Sequence, residues 1–560
     1  MTKPWGRWWP ILTTLTLVVI QIPAVVRTAG DPLQSDFVNY LVPARVVASG
    51  GDLSALYESA GFAAALRGTG LHTLGSFVPH PPANALWLLP FAAWSPAEAK
   101  VAWTVTLGVA LLAAFLCLRC LAPEVDPWLV AVVVLGPALA IRNGLAFGQP
   151  YLALLALVAA GVLALEGGRP SLGGFLLGLT VPFKPYAVPM GLALLLVRST
   201  LGGAFPGFVV GMLTPTAALV AFTGTAPLET FLVRVLPWMQ RGEIQDPFSP
   251  VWGSATALAQ HLFRFEVDLN PHPWFDAPRL ARFLSALVPA SIASLGVFSA
   301  RRALTEGRAR DAVGAALAFA VAASPFAASY HLVLLTIPAF ALVARLDGGS
   351  RLLAVSFWLL LGSPLLNLVR ALAGEESVFA YARFGVILAL ALWMARPFVS
   401  RRSVMASAAL GLLAGALAVL TAPRSEVWSR VEAARGYSMS APRFCGDRLP
   451  WLSPSASGRG LESRGEGEDC GARPTGPERV TARFRDGSWN LYWSPEDGGA
   501  FRQLTFSGAN EYDPVLTPDG CSIIFASDQG RGLGSSALYR LDVSGLNRGC
   551  DTAARAVVRP

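Results

Sequence analysis

Apolar segments recur through the first 421 residues, at about 11–27, 82–118, 127–142, 150–166, 172–197, 202–222, 281–300, 312–345, 351–369, 380–396 and 403–421. No other feature limits the fold as much. A chain in lipid must satisfy its backbone polar groups internally, and a helix does so within one segment of about 20 residues. The whole chain is 53% hydrophobic and 14% charged, too apolar for a soluble protein of 560 residues. The expectation is a polytopic α-helical membrane protein.

Two of the runs carry their own interruptions. Phe183-Lys184-Pro185 breaks 172–197, and SPFAASYH breaks 312–345, so each reads as two short helices with a turn. The region 82–118 accommodates either a re-entrant segment followed by one crossing, or two crossings. Charge favours one crossing. With Lys3 and Arg7 cytoplasmic, Arg119, Arg169, Arg198, the group Arg301/Arg302/Arg308/Arg310, Arg345, Arg351 and Arg396/Arg401/Arg402 then share that side. About thirteen transmembrane helices result. Asp36, Gly148–Pro150, Lys184, the loop near 223–280 and SPFAASYH fall on the external face, with the C-terminus.

The N-terminus has a basic start and an apolar run without a small-residue cleavage site, which reads as a retained first helix with an aromatic belt at Trp5, Trp8 and Trp9. The net charge of +8 is spread over short loops, a topology signal that implies no nucleic-acid partner. The loop TAPLETFLVRVLPWMQRGEIQDPFSPVWGS mixes aromatics with Arg234, Arg241, Glu243 and Asp246. It suits an interfacial amphipathic helix or a plain surface loop.

Beyond Arg424 the composition turns to Gly, Ser, Arg, Asp and Glu. Residues 422–475 read as a linker. Residues 476–560 read as a small β-rich domain, with strands at VTARF, NLYWSP, FRQLT, DPVLTPDG, CSIIFASD and SALYRLDV between Gly/Asp turns. Cys445, Cys470, Cys521 and Cys550 allow up to two disulfides and so an oxidising compartment, with Cys445–Cys470 and Cys521–Cys550 as candidate bridges. Cys117 and Cys120 lack a second ligand pair and read as packing residues.

The stretch Asp31–Tyr57 brings carboxylates, an amide, a tyrosine and an arginine to a membrane surface. A carboxylate there can stay ionised yet partly desolvated, which suits a general base, and Asp36 is the candidate. A solvated loop acid at a helix start is the plainer account of the same residue.

Several motifs, in order, are more specific. DFVNY, ASGGDLSALYE, FVPHPPANALWLLPFAAWSPAEAKVAW, NGLAFGQPYLALLALVAAGVLAL, GGFLLGLTVPFKPYAVPMGLALLL and ASPFAASYHLVLLTIPAF resemble the family 87 glycosyltransferases from about residue 8 to about 400. These are of the GT-C class and include polyprenyl-phosphate-mannose-dependent α-1,2-mannosyltransferases. The resemblance implies a GT-C fold in residues 1–421, with Asp36, beside Tyr40, at the position of the catalytic base. Asp52 and Tyr57 match a Gly-Asp-x-x-x-Leu-Tyr-type segment that looks structural or acceptor-facing. His80 stands where the family has tyrosine in Tyr-Pro-Pro, Gln149 matches the amide of a Gly-Gln loop, Lys184 matches a Lys-Pro motif, and His331 matches the histidine after the Ser-Pro turn. Pro150-Tyr151 departs from the apolar-Asn continuation. In the tail, FRQLTFSGANEYDPVLTPDGCSIIFASDQGRGLGSSALYRLDV resembles a TolB-type propeller repeat, enough for one or two blades where closure takes about four.

The implied reaction is inverting transfer of a hexose, mannose above all, from a polyprenyl-phosphate sugar to a lipid or glycan acceptor. A carboxylate takes the acceptor proton, and cations or donors receive the leaving phosphate. Lys184, His331, His80 and Arg142 are the candidates for the second role. A lipid phosphate leaves without a nucleotide, so neither metal nor cofactor is expected. The partners are the donor, the acceptor and membrane lipids, at an inner (plasma) membrane with the tail periplasmic or extracellular. A lipid or sugar transporter and a non-catalytic anchor for the tail are the rival readings.

Overall fold

In a computed structural model of the chain, the described residues are 5–32, 35–71, 73, 75–242, 244, 246–374, 377–422, 428–431, 451–454, 461–464, 480–485, 488–494, 501–533, 535–546 and 550. Residues Cys445 and Cys470, and with them the first candidate disulfide, lie outside that set.

Among the described residues six helices are long and apolar enough to cross a membrane: Trp8–Thr28, Pro96–Leu121, Ala204–Thr223, Pro278–Thr305, Val378–Ala395 and Arg401–Leu420. Counting two bent pairs as one span each makes eight. The pairs are Pro127–Leu135 with Ala138–Phe147, bent by 54° at Gly136-Pro137, and Gly348–Gly362 with Leu365–Ala373, bent by 58° at Ser363-Pro364. Length alone therefore supports six to eight crossings rather than about thirteen. The difference lies mainly in shorter apolar helices, Tyr151–Glu166, Pro170–Leu179, Pro185–Leu195 and Ser329–Arg345. The apolar run that begins at 82 contains one long helix: Pro82–Leu86 and Leu89–Phe91 are tight 3-10 turns, and Ser95 caps the helix Pro96–Leu121 in a capping box with Glu98. The breaks expected at Lys184-Pro185 and at SPFAA are present.

The bundle has two chemically distinct ends. Glu166 closes the helix Tyr151–Glu166 and pairs with Arg310 at 3.3 Å. Arg345 and Arg308 both pair with Asp311, at 3.1 and 2.6 Å, and both guanidinium groups lie over Phe398, at 5.9 and 4.8 Å. The helix Ala309–Ala323 starts in this basic cluster. Its 15 residues rise about 22 Å and deliver Ser324 to the opposite end, where Tyr151, Lys184 and His331 also lie.

Glycines set how closely two of these helices approach. Pro170–Leu179 packs on Ala204–Thr223 through Gly174 and Gly178 on one side and Gly207 and Gly211 on the other. A Cβ at any of the four would collide with a backbone carbonyl oxygen of the facing helix, those of Ala204, Phe208, Ser171 and Phe175 in turn. This reciprocal small-xxx-small contact lets the backbones touch where no hydrophobic force draws helices together.

Among the described residues the tail forms three antiparallel sheets. Val480–Arg485, Ser488–Trp493 and Arg502–Gln503 make one, and Glu511–Leu516, Ser522–Ser527 and Ala537–Asp542 make another in meander order. Ser429–Arg430, from the stretch that reads as linker, adds a fourth strand to the second sheet by pairing with Arg540 and Tyr539. Trp451–Pro454 and Leu461–Arg464 form the third, two-stranded sheet. Cys521 and Cys550 are disulfide-bonded, and Cys117 and Cys120 are free thiols. The β domain docks on the loop after Thr223. Arg430 and the fully buried Arg531 both pair with Glu266 and Asp268. Burial pushes the Glu266 carboxyl up, but Arg531, the amides of Leu269 and Asp268, and Arg430 outweigh it and hold the group below its usual range.

Replacing Gly178 by leucine should drive the two helices apart and lower the melting temperature of the detergent-solubilised protein, overpacking of this kind costing about 1–3 kcal/mol or more. Gly108→Leu, at a position in Pro96–Leu121 with open space around it, should leave the melting temperature unchanged in the same assay.

Candidate active site

A cavity of about 740 Å³ opens at the end of the bundle remote from the basic cluster. Its walls come from the helix Ser35–Ala48, the 75–81 turn, the Gly148–Tyr151 and Lys184–Pro189 turns, the loop near 239–252, and residues Ser324–His331. Asp36, His80, Gln149, Lys184 and His331 all line it. Segments separated by up to 295 positions in the chain thus converge, since Asp36 and His331 share one wall system.

Gln149 is the pivot. Its Nε2 donates to Asp36 Oδ2 at 2.8 Å, and its Oε1 accepts from the Tyr40 hydroxyl at 2.6 Å. Both partners are on one face of the same helix, four residues apart, where side chains stack. Gln149 is 1% exposed and Tyr40 is fully buried, so the amide dipole is locked in one orientation. Burial raises the Asp36 carboxyl above its ordinary value, and the Gln149 hydrogen bond, Lys184 and Lys100 restrain that rise.

A second chain of contacts crosses the cavity. His80 lies against the Tyr40 ring with centroids 4.8 Å apart, and its backbone carbonyl accepts from the Tyr57 hydroxyl at 2.8 Å. Burial, with Lys184 and His331 nearby, holds the His80 imidazole well below its usual pKa. A neutral ring can accept at Nδ1, and the Lys184 ammonium stands 3.1 Å from that atom. Lys184 also lies over the Tyr151 ring, 5.6 Å from its centroid. The Tyr186 hydroxyl is 3.0 Å from His331 Nδ1 and 3.4 Å from Ser324 Oγ, while Tyr151 flanks the His331 ring at 4.7 Å. The cavity lining thus brings a carboxylate together with a cation, two histidines and phenols.

Arg142 is not among the cavity residues. Its guanidinium is held by Asn143 Oδ1, and Asn143 in turn donates to Ser329 Oγ, so this arginine braces the Ser329–Leu335 turn. Asp52 accepts from the Ser54 amide at 2.8 Å, a local turn contact. Arg234 faces Glu58 at 3.8 Å and lies over the Trp238 ring at 5.1 Å, on a continuous helical stretch from Ala226 to Arg241.

Sequence reasoning passed over four residues. Tyr151, Tyr186 and Tyr330 each adjoin a motif residue, and the pattern Pro-Tyr or Tyr-His was the available signal. Lys100 is the other. Set in an apolar span and fully buried, it donates to the carbonyls of Leu145 and Ala146 at 2.7 and 2.8 Å and lies over Phe37 at 5.3 Å. Those carbonyls end the helix Ala138–Phe147, where a cation meets the negative end of the dipole. Gly148 follows at φ +68°, a left-handed cap that suits glycine, and Trp103 Nε1 donates to its carbonyl at 2.7 Å. Lys100 and Trp103 therefore fix the turn that presents Gln149.

Lys100→Met should leave the Ala146 carbonyl without its donor and Leu145 with the Gly148 amide alone, and lower stability by about 1–3 kcal/mol, read as a drop in melting temperature of the purified protein. Thr106→Val, on the exposed side of the same helix, should give no comparable drop.

Residues 77–326, a little under half of the chain, match the sequence model of glycosyltransferase family 87. His80, Arg142, Gln149 and Lys184 fall inside the matched stretch; Asp36, Tyr40 and His331 fall outside it. No curated protein and no solved structure matches the chain. A stretch that matches the family 87 model and supplies most walls of a cavity, in a bundle of apolar helices, marks this protein as a membrane glycosyltransferase.

Proposed function

We propose that the protein moves a hexose, mannose in the first instance, from a polyprenyl-phosphate sugar to a lipid or glycan acceptor, with inversion at the anomeric carbon. The observation that carries this reading is the convergence of Asp36, Lys184 and His331 on the lining of one cavity. The acceptor hydroxyl attacks C1 while Asp36 takes its proton; the bond from C1 to the phosphate oxygen breaks, and the lipid phosphate leaves with its electron pair. Lys184 and the donors around His331 receive the charge that develops on that phosphate. Gln149 positions the base. His80 orients Lys184, and Arg142, held by Asn143, takes no part. The reaction as drawn uses no metal or cofactor.

Counting each short apolar helix, Ala309–Ala323 and each bent pair as one span gives thirteen, with the cavity end sunk below the membrane surface so that short helices suffice. The arginine-rich end faces the cytoplasm under the positive-inside rule. That puts the active site and the β domain on the periplasmic or external face, where the Cys521–Cys550 disulfide is compatible with the redox conditions. The two meander sheets, one completed by a strand from before the domain, support a propeller-like tail.

In membranes given radiolabelled polyprenyl-phosphate mannose and lipid extract, Asp36→Asn should reduce transfer by about 10²–10⁴-fold at equal protein level. Lys184→Ala should reduce it by about 10²-fold. Retention of wild-type transfer in Asp36→Asn would remove this residue from the mechanism.

The base must be ionised, and burial raises its pKa, so the rate should fall as pH drops through that raised value and be full above it. Gln149→Leu removes a hydrogen bond that holds the pKa down. Its acid limb should therefore move to higher pH than that of the wild type in a pH–rate profile.

A further inference from the structure

A second, smaller cavity of about 200 Å³ lies where the β domain meets the loop after Thr223. Trp238, Gln240 and Gln260 come from the membrane-domain side, and Asn510, Asp528 and Gln529 from the β domain. Gln240 also lines the large cavity, so the two spaces share a wall.

We propose that this cleft binds the saccharide part of the acceptor, a reading that rests on the glycosyltransferase assignment of the large cavity. Its chemistry suits a polyol. Planar amides and a carboxylate present paired donors and acceptors to neighbouring hydroxyls. The polar groups are held in advance. The Asn510 backbone amide and Nδ2 donate to the two Asp528 oxygens, each at 2.8 Å. Behind them, Arg264 reaches across the boundary to the Gly530 carbonyl and to Gln260 Oε1.

The two sides of the cleft are held together by the buried pairing of Arg430 and Arg531 with Glu266 and Asp268. The β domain thereby acquires a role in acceptor choice while the reacting groups stay in the membrane domain. An acceptor seated here passes its terminal sugar by Gln240 toward Asp36, which makes the cleft a specificity element for transfer.

The test uses the purified full chain in detergent on an array of short oligosaccharides. Wild type and Asp36→Asn should retain the same glycans, whereas Gln240→Ala and Gln529→Arg should weaken retention by about tenfold or more with unchanged melting temperature. Retention of no oligosaccharide, or equal retention by the cleft variants, would overturn the proposal. The two readings fail separately. Cleft-dependent retention with no sugar transfer by the wild type would sink the transfer mechanism and leave the cleft. Normal transfer with an unchanged acceptor KM in both cleft variants would sink the cleft and leave the mechanism.

Discussion

A lysine inside an apolar bundle must find acceptors, and the way Lys100 finds them governs the active end of this protein. Its ammonium is fully buried and satisfied by the carbonyls of Leu145 and Ala146 in the last turn of a helix, where the Gly148 amide also reaches Leu145. Charge, helix end and turn become one unit. The left-handed Gly148 and the Trp103 hydrogen bond then leave Gln149 a single orientation, in which one amide serves Tyr40 and Asp36 together. Asp36 is held by a residue 113 positions away, whose turn is held by a cation in a third segment.

The same constraint divides the molecule. Charges in an apolar protein are tolerated where they pair or reach water, and they gather at the two ends of the bundle. At one end arginines pair with Asp311 and Glu166. At the other, Asp36, Lys184 and the histidines are kept apart from bulk water by aromatic rings, which makes each electrostatic contact stronger than it would be in solution. Glycines let Pro170–Leu179 and Ala204–Thr223 pack backbone to backbone.

Much of the membrane domain was legible in the sequence because a bilayer reads composition directly. Apolar runs, the Lys-Pro and Ser-Pro interruptions and the strands of the tail correspond to observed elements. Two bends were not read from the sequence: Gly136-Pro137 and Ser363-Pro364 break spans whose hydropathy is continuous, and the proline in each was the available signal. Nor was the strand at Ser429–Arg430, since a two-residue pairing carries no periodic signal.

For the site, the sequence by itself determined the order of the motifs, which singled out Asp36, Gln149, Lys184 and His331 together, and all four line one cavity. Pairing was decided by the tertiary structure. It joined Gln149 to Asp36, set His80 against Lys184, drew Arg142 away to Asn143 and recruited Lys100. The physical reason is that hydropathy and local motif are properties of one segment, whereas a hydrogen bond in a buried cavity depends on how segments hundreds of residues apart are packed.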